Sequence, residues 1–385
     1  MSKKMSKWMA GILVAMVTVM LAGCGGESKP AATGASTSKA ASAKIGVVAY
    51  LSGGGAAYGE AIRQGLELAR DEINAQGKTK IELVFEDSKG EKNEAINATN
   101  KLIHKDNVVA IIGPTLSGEM FAAGPIANQS GVPVMGTSTT AEGITDIGEF
   151  IFRNALPESL AIPNAVKKAK EKYNLKKVAV MYSNNNDWAV SGFKTFEKSL
   201  KDNGIETLTV ETFADKDTDY SAQLTKIATM KPDALMVASL YQEASLIAKK
   251  ARELGINVPI VGNNGINSPQ YIKSAGKAAD NSIVASPWFP GKEDAGVKKF
   301  VASYREKYKK DPDQFAAQAY DALKIMATAL EKSGSNTDRK KLRDSLATIK
   351  DFPGVTGKFA FDAKRNPAMD VTVLSIKDGQ FVELK

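Results

Sequence analysis

The 385-residue sequence predicts an α/β fold built as two doubly wound parallel-sheet lobes. Three observations predict it. Short apolar runs alternate with stretches of helical periodicity, the pattern of parallel strands whose faces are covered by helices. That rhythm begins at residue 44 and restarts after Pro157. Roughly 340 residues take part, more than one hydrophobic core usually holds.

The elements follow in order. Residues 44–50, KIGVVAY, read as a strand, and a glycine-rich turn follows. Over 58–76, Ile62, Leu66, Leu68, Ala69 and Ile73 recur at helical spacing, and Gly77 ends the helix. A strand is expected at 81–86, a helix at 93–104, and a buried strand at 108–112 closing on Gly113-Pro114. A helix over 117–128 and a strand over 132–136 end the first run. The second run reads as strand 177–182, helix to 203, strand 205–213, helix to 230, strand 233–238, helix to 255 and strand 258–261. One more strand is expected at 282–285. Helices then dominate, over 295–308, 315–331 and 338–348. The chain ends in strands near 358–361, 371–376 and 381–384.

Before the body stands a different kind of segment. Lys3, Lys4 and Lys7 precede an apolar run over 8–22, which ends in Leu21-Ala22-Gly23-Cys24. A basic start, a short apolar core and small residues at the break describe an export signal. Cys24 is the single cysteine of the chain. Its place directly after the small residues resembles a bacterial lipobox, which implies cleavage after Gly23 and a lipid on the Cys24 thiol. The expected signal is 1–23. Residues 24–43 are small and polar and read as a flexible tether. The mature chain is then anchored to a membrane without crossing it, outside the cytoplasm.

Composition narrows the function. Formal charge is +8, but the lysines are scattered as solvated helix faces. No basic block is interleaved with aromatics, which argues against nucleic acid. Metal-ligand spacing is absent, so no metal is expected. No cofactor is expected either. Gly53-Gly54-Gly55-Ala56-Ala57-Tyr58-Gly59 occupies a strand–helix junction, with Glu86-Asp87 at the end of the next strand. The spacing is not that of a dinucleotide loop, and a tight turn close to a small ligand is the simpler reading. Ser191 to Lys194 matches S-x-x-K by letter but lies mid-helix without its partner motifs. His104 is the only histidine, late on a charged helix where a cation is favoured. No catalytic residue is assigned, and the chain reads as a non-enzyme.

A binding site is suggested instead. Ligands of parallel α/β sheets collect at the carboxyl ends of strands, beside helix N-termini whose free N–H groups favour anions. Ser117-Gly118-Glu119, Thr137-Ser138-Thr139-Thr140 and Asn263-Asn264-Gly265 all stand at such places. Tyr58, Trp188 and Tyr241 lie at similar loop positions. Hydroxyls and N–H groups for a polar head, with aromatics around an apolar tail, describe a small-molecule pocket. The alternative for Ser117 is ordinary helix capping.

At this point a resemblance becomes specific. Residues 44–385 resemble the branched-chain amino-acid type of periplasmic binding protein, the solute receptors of ABC importers. The matching text is KIGVVAYLSGGGAAYGEAIRQGLELARDEINAQG, IIGPTLSGEMFAAGPIANQSGVPVMGTSTTAEGIT, NNNDWAVSGFKTF and ARELGI. The resemblance implies two α/β lobes joined by three crossovers, a type I periplasmic binding protein. The crossovers fall near 153–157, 285–289 and 362–367. Lobe 1 is then 44–156 with 287–365, and lobe 2 is 157–286 with 366–385. By the same resemblance Ser117 takes the ligand carboxylate, and Ser138 and Thr140 take its ammonium. Tyr58 faces the side chain from the first lobe. Trp188 does so from the second, with Leu240 or its neighbour Tyr241. The family's acid for the ammonium falls on Asn264, an uncharged amide that gives up the stronger charge-assisted bond. The ligand is then an amino acid held by other acceptors, or an acid or amide without an ammonium. The expected function is capture of a small solute, a branched-chain or other apolar amino acid foremost, for an ABC permease in the membrane. A ligand sensor of the same fold is the alternative. A monomer is expected.

Overall fold

The computed structural model describes residues 42–385. The expected signal, Cys24 and nearly all of the tether lie outside the described residues.

The first half opens with β1 (Ala43–Ala49), α1 (Ala56–Gln76), β2 (Ile81–Asp87), α2 (Lys92–His104), β3 (Ala110–Ile112), α3 (Ser117–Gln129), β4 (Val134–Gly136) and β5 (Ile151–Arg153). These strands form one parallel sheet in the order β2-β1-β3-β4-β5. The chain then runs through α4 (Glu158–Tyr173), β6 (Lys177–Ser183), α5 (Asp187–Asp202), β7 (Glu206–Phe213), α6 (Ser221–Met230), β8 (Ala234–Ala238), α7 (Tyr241–Glu253), β9 (Ile260–Gly262), α8 (Pro269–Ala275) and β10 (Ser282–Ser286). Three helices follow: α9 (Ala295–Tyr308), α10 (Gln314–Ser333) and α11 (Arg339–Leu346). The tail holds β11 (Phe352–Gly354), β12 (Gly357–Phe361), β13 (Pro367–Ala368), β14 (Thr372–Lys377) and β15 (Gln380–Glu383). The second sheet has the order β15-β14-β10-β9-β8-β6-β7. It is parallel from β10 to β7, with β14 and β15 antiparallel at its edge. A small antiparallel sheet joins β11, β12 and β13.

The central strands are apolar throughout because helices cover both faces; all five residues of β8, ALMVA, are buried. Helix α10 returns to the first half and lies on α1. A Cβ at Gly65 would sit 2.2 Å from the Ala316 carbonyl oxygen, so the two helices meet backbone to backbone there. Asn154 and Gln318 exchange side-chain-to-carbonyl hydrogen bonds at 2.7 and 3.0 Å, tying α10 to the connection after β5. Asp321 on α10 accepts from the Val355 and Thr356 N–H groups and so holds the β11–β12 hairpin.

Each sheet has one point where strand order reverses. In the first, β1 is followed by β2 on one side and β3 on the other; in the second, β6 is followed by β7 on one side and β8 on the other. Loops leaving such a pair diverge and leave a crevice. The crevices are bounded by the loops after β1 and β3, and by those after β6 and β8.

Five elements go beyond the sequence reading: β5, α4, α8, β11 and β13. The sequence reading places only a crossover near 153–157, just before α4 begins. Pro157 only caps that helix, and Pro163 alone lies inside it. The buried stripe of Ala161, Ile162, Ala165, Val166 and Ala169 sustains the helix across that missing donor.

Candidate functional site

The loop after β3 turns through Gly113, at φ 105°, into Thr115, Leu116 and Ser117. Ser117 is the first residue of α3, not its cap. Glu119 does the capping, its carboxylate accepting from the Leu116 N–H at 2.8 Å. The capping alternative for Ser117 is therefore overturned. Its buried hydroxyl accepts from the Ala141 N–H at 3.2 Å, where α3 presents N–H groups without intrahelical acceptors. Ser138, after β4, donates to the Thr115 carbonyl at 2.6 Å. Thr140 accepts from the Trp188 indole N–H at 2.7 Å. The loops after β3 and β4 are thus one hydrogen-bonded wall.

The facing wall comes from the second sheet. Trp188 lies in the first turn of α5, after β6, and is 5% exposed. Leu240 precedes α7 and Tyr241 opens it, after β8, and Asn264 follows β9. Tyr58, on α1, reaches across to this wall. Its hydroxyl donates to the Gly265 carbonyl at 2.8 Å and accepts from the Tyr241 N–H at 2.9 Å. Tyr241 answers by donating its own hydroxyl to the Gly54 carbonyl at 2.7 Å. The Tyr58 ring packs on Tyr241 and Phe315, with centroids 5.0 and 4.7 Å apart. Asn264 accepts from the Gln314 amide at 3.0 Å.

One small cavity separates the walls. Tyr58, Ser117, Ser138, Trp188, Leu240 and Asn264 all line it. Thr140 and Tyr241 do not line it but bond residues that do. Cys24 lies outside the described residues. The sequence reading missed Thr115, Leu116 and Phe315, which with Gly265 complete the lining. Phe315 sits on α10, far along the chain, and no local signal marks it.

A buried carboxylate was also missed. Glu158 opens α4 and is fully buried. One oxygen accepts from the Asn263 amide at 3.0 Å, and the other has no hydrogen-bond partner. Burial pushes its carboxyl up to about 8, against the Asn263 amide's hydrogen bond, which lowers it. The Trp188 side chain also favours the charged form. Glu158 therefore stands behind the indole that bonds Thr140. A Glu directly after the proline of the expected crossover was the available signal.

The other motifs have structural work. Gly53 takes φ 91°, and a Cβ at Gly55 would lie 2.3 Å from the Tyr50 ring, as a tight turn requires. Asp87 accepts from the Leu51 and Lys89 N–H groups and holds that turn. Ser191 accepts from the Glu142 N–H, without a lysine partner. His104 is exposed at the end of α2. Among the described residues no cluster of three or more His, Cys, Asp or Glu is placed to hold a metal ion.

With this geometry established, residues 42–380 match the family model described as periplasmic binding protein. A Leu/Ile/Val-binding protein, BraC3, of Rhizobium johnstonii is 26% identical over 331 residues, covering 82% of this chain and 86% of its own length. The branched-chain amino acid transporter substrate-binding protein LivJ of Streptococcus pneumoniae, solved with isoleucine, superposes with TM-score 0.83 at 36% identity, covering 89% of this chain and 100% of its own. A solute-binding protein of an ABC transporter from R. palustris, solved with benzoate, superposes with TM-score 0.82 at 26% identity, covering 89% and 96%.

Proposed function

The chain belongs to the periplasmic binding protein family, and we propose that it captures an amino acid with an apolar side chain for an ABC importer. It is an extracytoplasmic substrate-binding protein, not an enzyme. The observation that carries the ligand reading is the pairing of walls around one cavity. Ser117 and Ser138 stand on one side, and Trp188, Leu240 and Asn264 on the other, with Tyr58 bridging them. In this reading Ser117 and the N–H groups opening α3 take the carboxylate. Ser138 and Thr140 take the ammonium, and the aromatic rings take the side chain. In this reading the charge that Asn264 lacks comes from Glu158, which stands behind the Trp188 indole and acts on a bound ammonium through the Thr140 and Trp188 side.

Calorimetry of the full chain tests this with leucine against 4-methylpentanoate, its deaminated counterpart. Leucine should bind at least tenfold tighter. Equal or tighter binding of the deaminated acid would favour the second reading, a carboxylate without an ammonium. The uncharged Asn264 and the benzoate-bound relative speak for that one.

Capture would proceed by closure of two lobes, 44–156 with 287–365 and 157–286 with 366–385, on the ligand. A smaller radius of gyration with saturating ligand is expected in solution scattering. We further propose that the protein is a monomer that delivers to a permease and is anchored through a lipid on Cys24. One acyl chain binds membranes only marginally, so lasting attachment takes two. Fatty-acid labelling should vanish in Cys24→Ala, since no second thiol exists; persistent label overturns the anchor.

A further inference from the structure

The chamber does not end at its own walls. Leu116 and Leu240 also bound a larger cavity of about 790 Å³ between the two halves. This antechamber is strongly acidic in a chain of formal charge +8. Six carboxylates and two lysines line it. Both lysines are already matched across the cleft: Lys92 lies 2.5 Å from Asp187, and Lys216 lies 2.9 Å from Glu91. Glu119, Asp215, Asp217 and Glu243 have no such cation partner. Asp215 takes the neutral Asn186 amide at 2.7 Å, and Asp217 takes the Ala214 N–H at 2.8 Å. Glu243 is only 3% exposed. One of its oxygens accepts from the Lys216 N–H at 3.1 Å, and the other has no partner.

Of these four carboxylates only Glu119 and Glu243 are buried. A buried carboxylate without counter-charge is costly, and an opposite charge a few ångströms away offsets that cost. Burial, with Asp215 and Asp217 nearby, already holds the Glu243 carboxyl above its ordinary range. Among the described residues no group of three or more His, Cys, Asp or Glu is placed to hold a metal ion, and the counter-charge we argue for is an organic cation. We propose that the antechamber receives the distal cation of a second ligand class: an α-amino acid, or an amine, ending in an ammonium or guanidinium. The head group of such a ligand occupies the chamber, and its chain passes between Leu116 and Leu240. This extends the reading of the chamber as the ligand site, and rests on it.

Pairs that differ by the distal cation test it by calorimetry of the full chain at low salt. Lysine is compared with norleucine, and arginine with citrulline. 1,5-Diaminopentane is compared with pentylamine, which asks the same question without an amino-acid head. The cationic member should bind at least tenfold tighter in one or more pairs. The preference should shrink as salt rises and fall at least threefold in Glu243→Gln. Leucine binding with no cationic preference in any pair removes the antechamber and leaves the amino-acid reading intact. A preference in the diamine pair alone, with leucine unbound, removes the amino-acid reading and supports the antechamber. A cationic preference unchanged in Glu243→Gln and insensitive to salt also overturns the proposal.

Discussion

The two walls of the chamber are built in opposite ways. The first uses small hydroxyls and main-chain groups at strand ends, locked to one another: Ser138 to the Thr115 carbonyl, Ser117 to the Ala141 N–H. The second uses large side chains, Trp188 and Leu240, with a single amide at Asn264. Main-chain geometry holds the first wall, so it suits the part of a ligand that never varies. Side-chain identity makes the second, so it can change chemistry without disturbing the fold. By the resemblance read from the sequence, that is where this chain departs from the amino-acid pattern. The compensating charge in our reading, Glu158, stands at the first crossover between the two.

The largest expected effect breaks this comparison at Glu158. Truncating one partner of a buried, hydrogen-bonded charge pair costs about 2–5 kcal/mol, thirtyfold or more in affinity. Glu158→Gln should weaken leucine by that order while leaving 4-methylpentanoate unweakened. Equal loss for both ligands would make Glu158 a packing residue. The same carboxyl sets a pH signature. Its folded value is raised from 4.5 to about 8, and burial likewise pushes Glu119 up to about 7. Above 4.5 the unfolded chain surrenders these protons first, so stability falls as pH rises between the ordinary and the raised values. Tm of the free protein should decline from pH 5 to 8, and less steeply in Glu158→Gln. A ligand ammonium favours the ionised form, so binding near pH 7 should release a proton, visible in calorimetry across buffers of different ionisation heat.

The next effect tests the first wall. Losing a hydrogen bond to a charged group costs roughly 1.5–3 kcal/mol, tenfold to a hundredfold in affinity. Ser117→Ala should weaken both leucine and its deaminated acid by that order, because both carry the carboxylate. Melting should move little, since Glu119 rather than Ser117 caps α3. A collapse in melting with affinity retained would return Ser117 to a structural role.

Residues of both walls were legible in the sequence, and the long-range contacts that join them were not. Parallel strands buried on both faces leave continuous apolar runs, so β1 and β8 stand out, and the small polar residues after β3 and β4 follow at fixed distances. The contacts that finish the site join distant positions. Trp188 meets Thr140 from 48 residues away, and Gln314 meets Asn264 from 50. Phe315 reaches Tyr58 only because α10 returns to lie on α1. Glu158 stays hidden because the sequence reading places a crossover near 153–157 and no element between it and the strand at 177. The capping alternative at Ser117 falls because Glu119, in the same first turn of α3, accepts from the Leu116 N–H.

A smaller effect sharpens the second wall. Asn264→Asp restores a carboxylate where the amino-acid pattern has one, and it can still accept from Gln314. With Glu158 already serving the ammonium, the added charge should tighten leucine only severalfold. It should weaken 4-methylpentanoate more steeply, because an unpaired charge near the ligand's own carboxylate is repulsive and costly to bury. Tighter deaminated-acid binding by the unaltered protein, lost in Asn264→Asp, would reverse the assignment of the ligand class.

The smallest effect concerns what holds the walls together. Lys92 of the first half pairs with Asp187 of the second, and Lys216 of the second pairs with Glu91 of the first. The side chains are about half exposed or more, and such pairs contribute only about 0.2–1 kcal/mol each, screened by salt. They exist only while the halves are together, so what they contribute acts on closure and not on the fold of either sheet. Lys92→Met with Lys216→Met should therefore leave Tm of the free protein nearly unchanged and speed ligand dissociation by less than about tenfold. That acceleration should disappear at high salt, where the unaltered protein loses the same contribution. Stopped-flow dissociation at two ionic strengths decides it. A rate unaffected by either change would mean that the hydrogen bonds of Tyr58, Tyr241 and Trp188 hold the cleft alone.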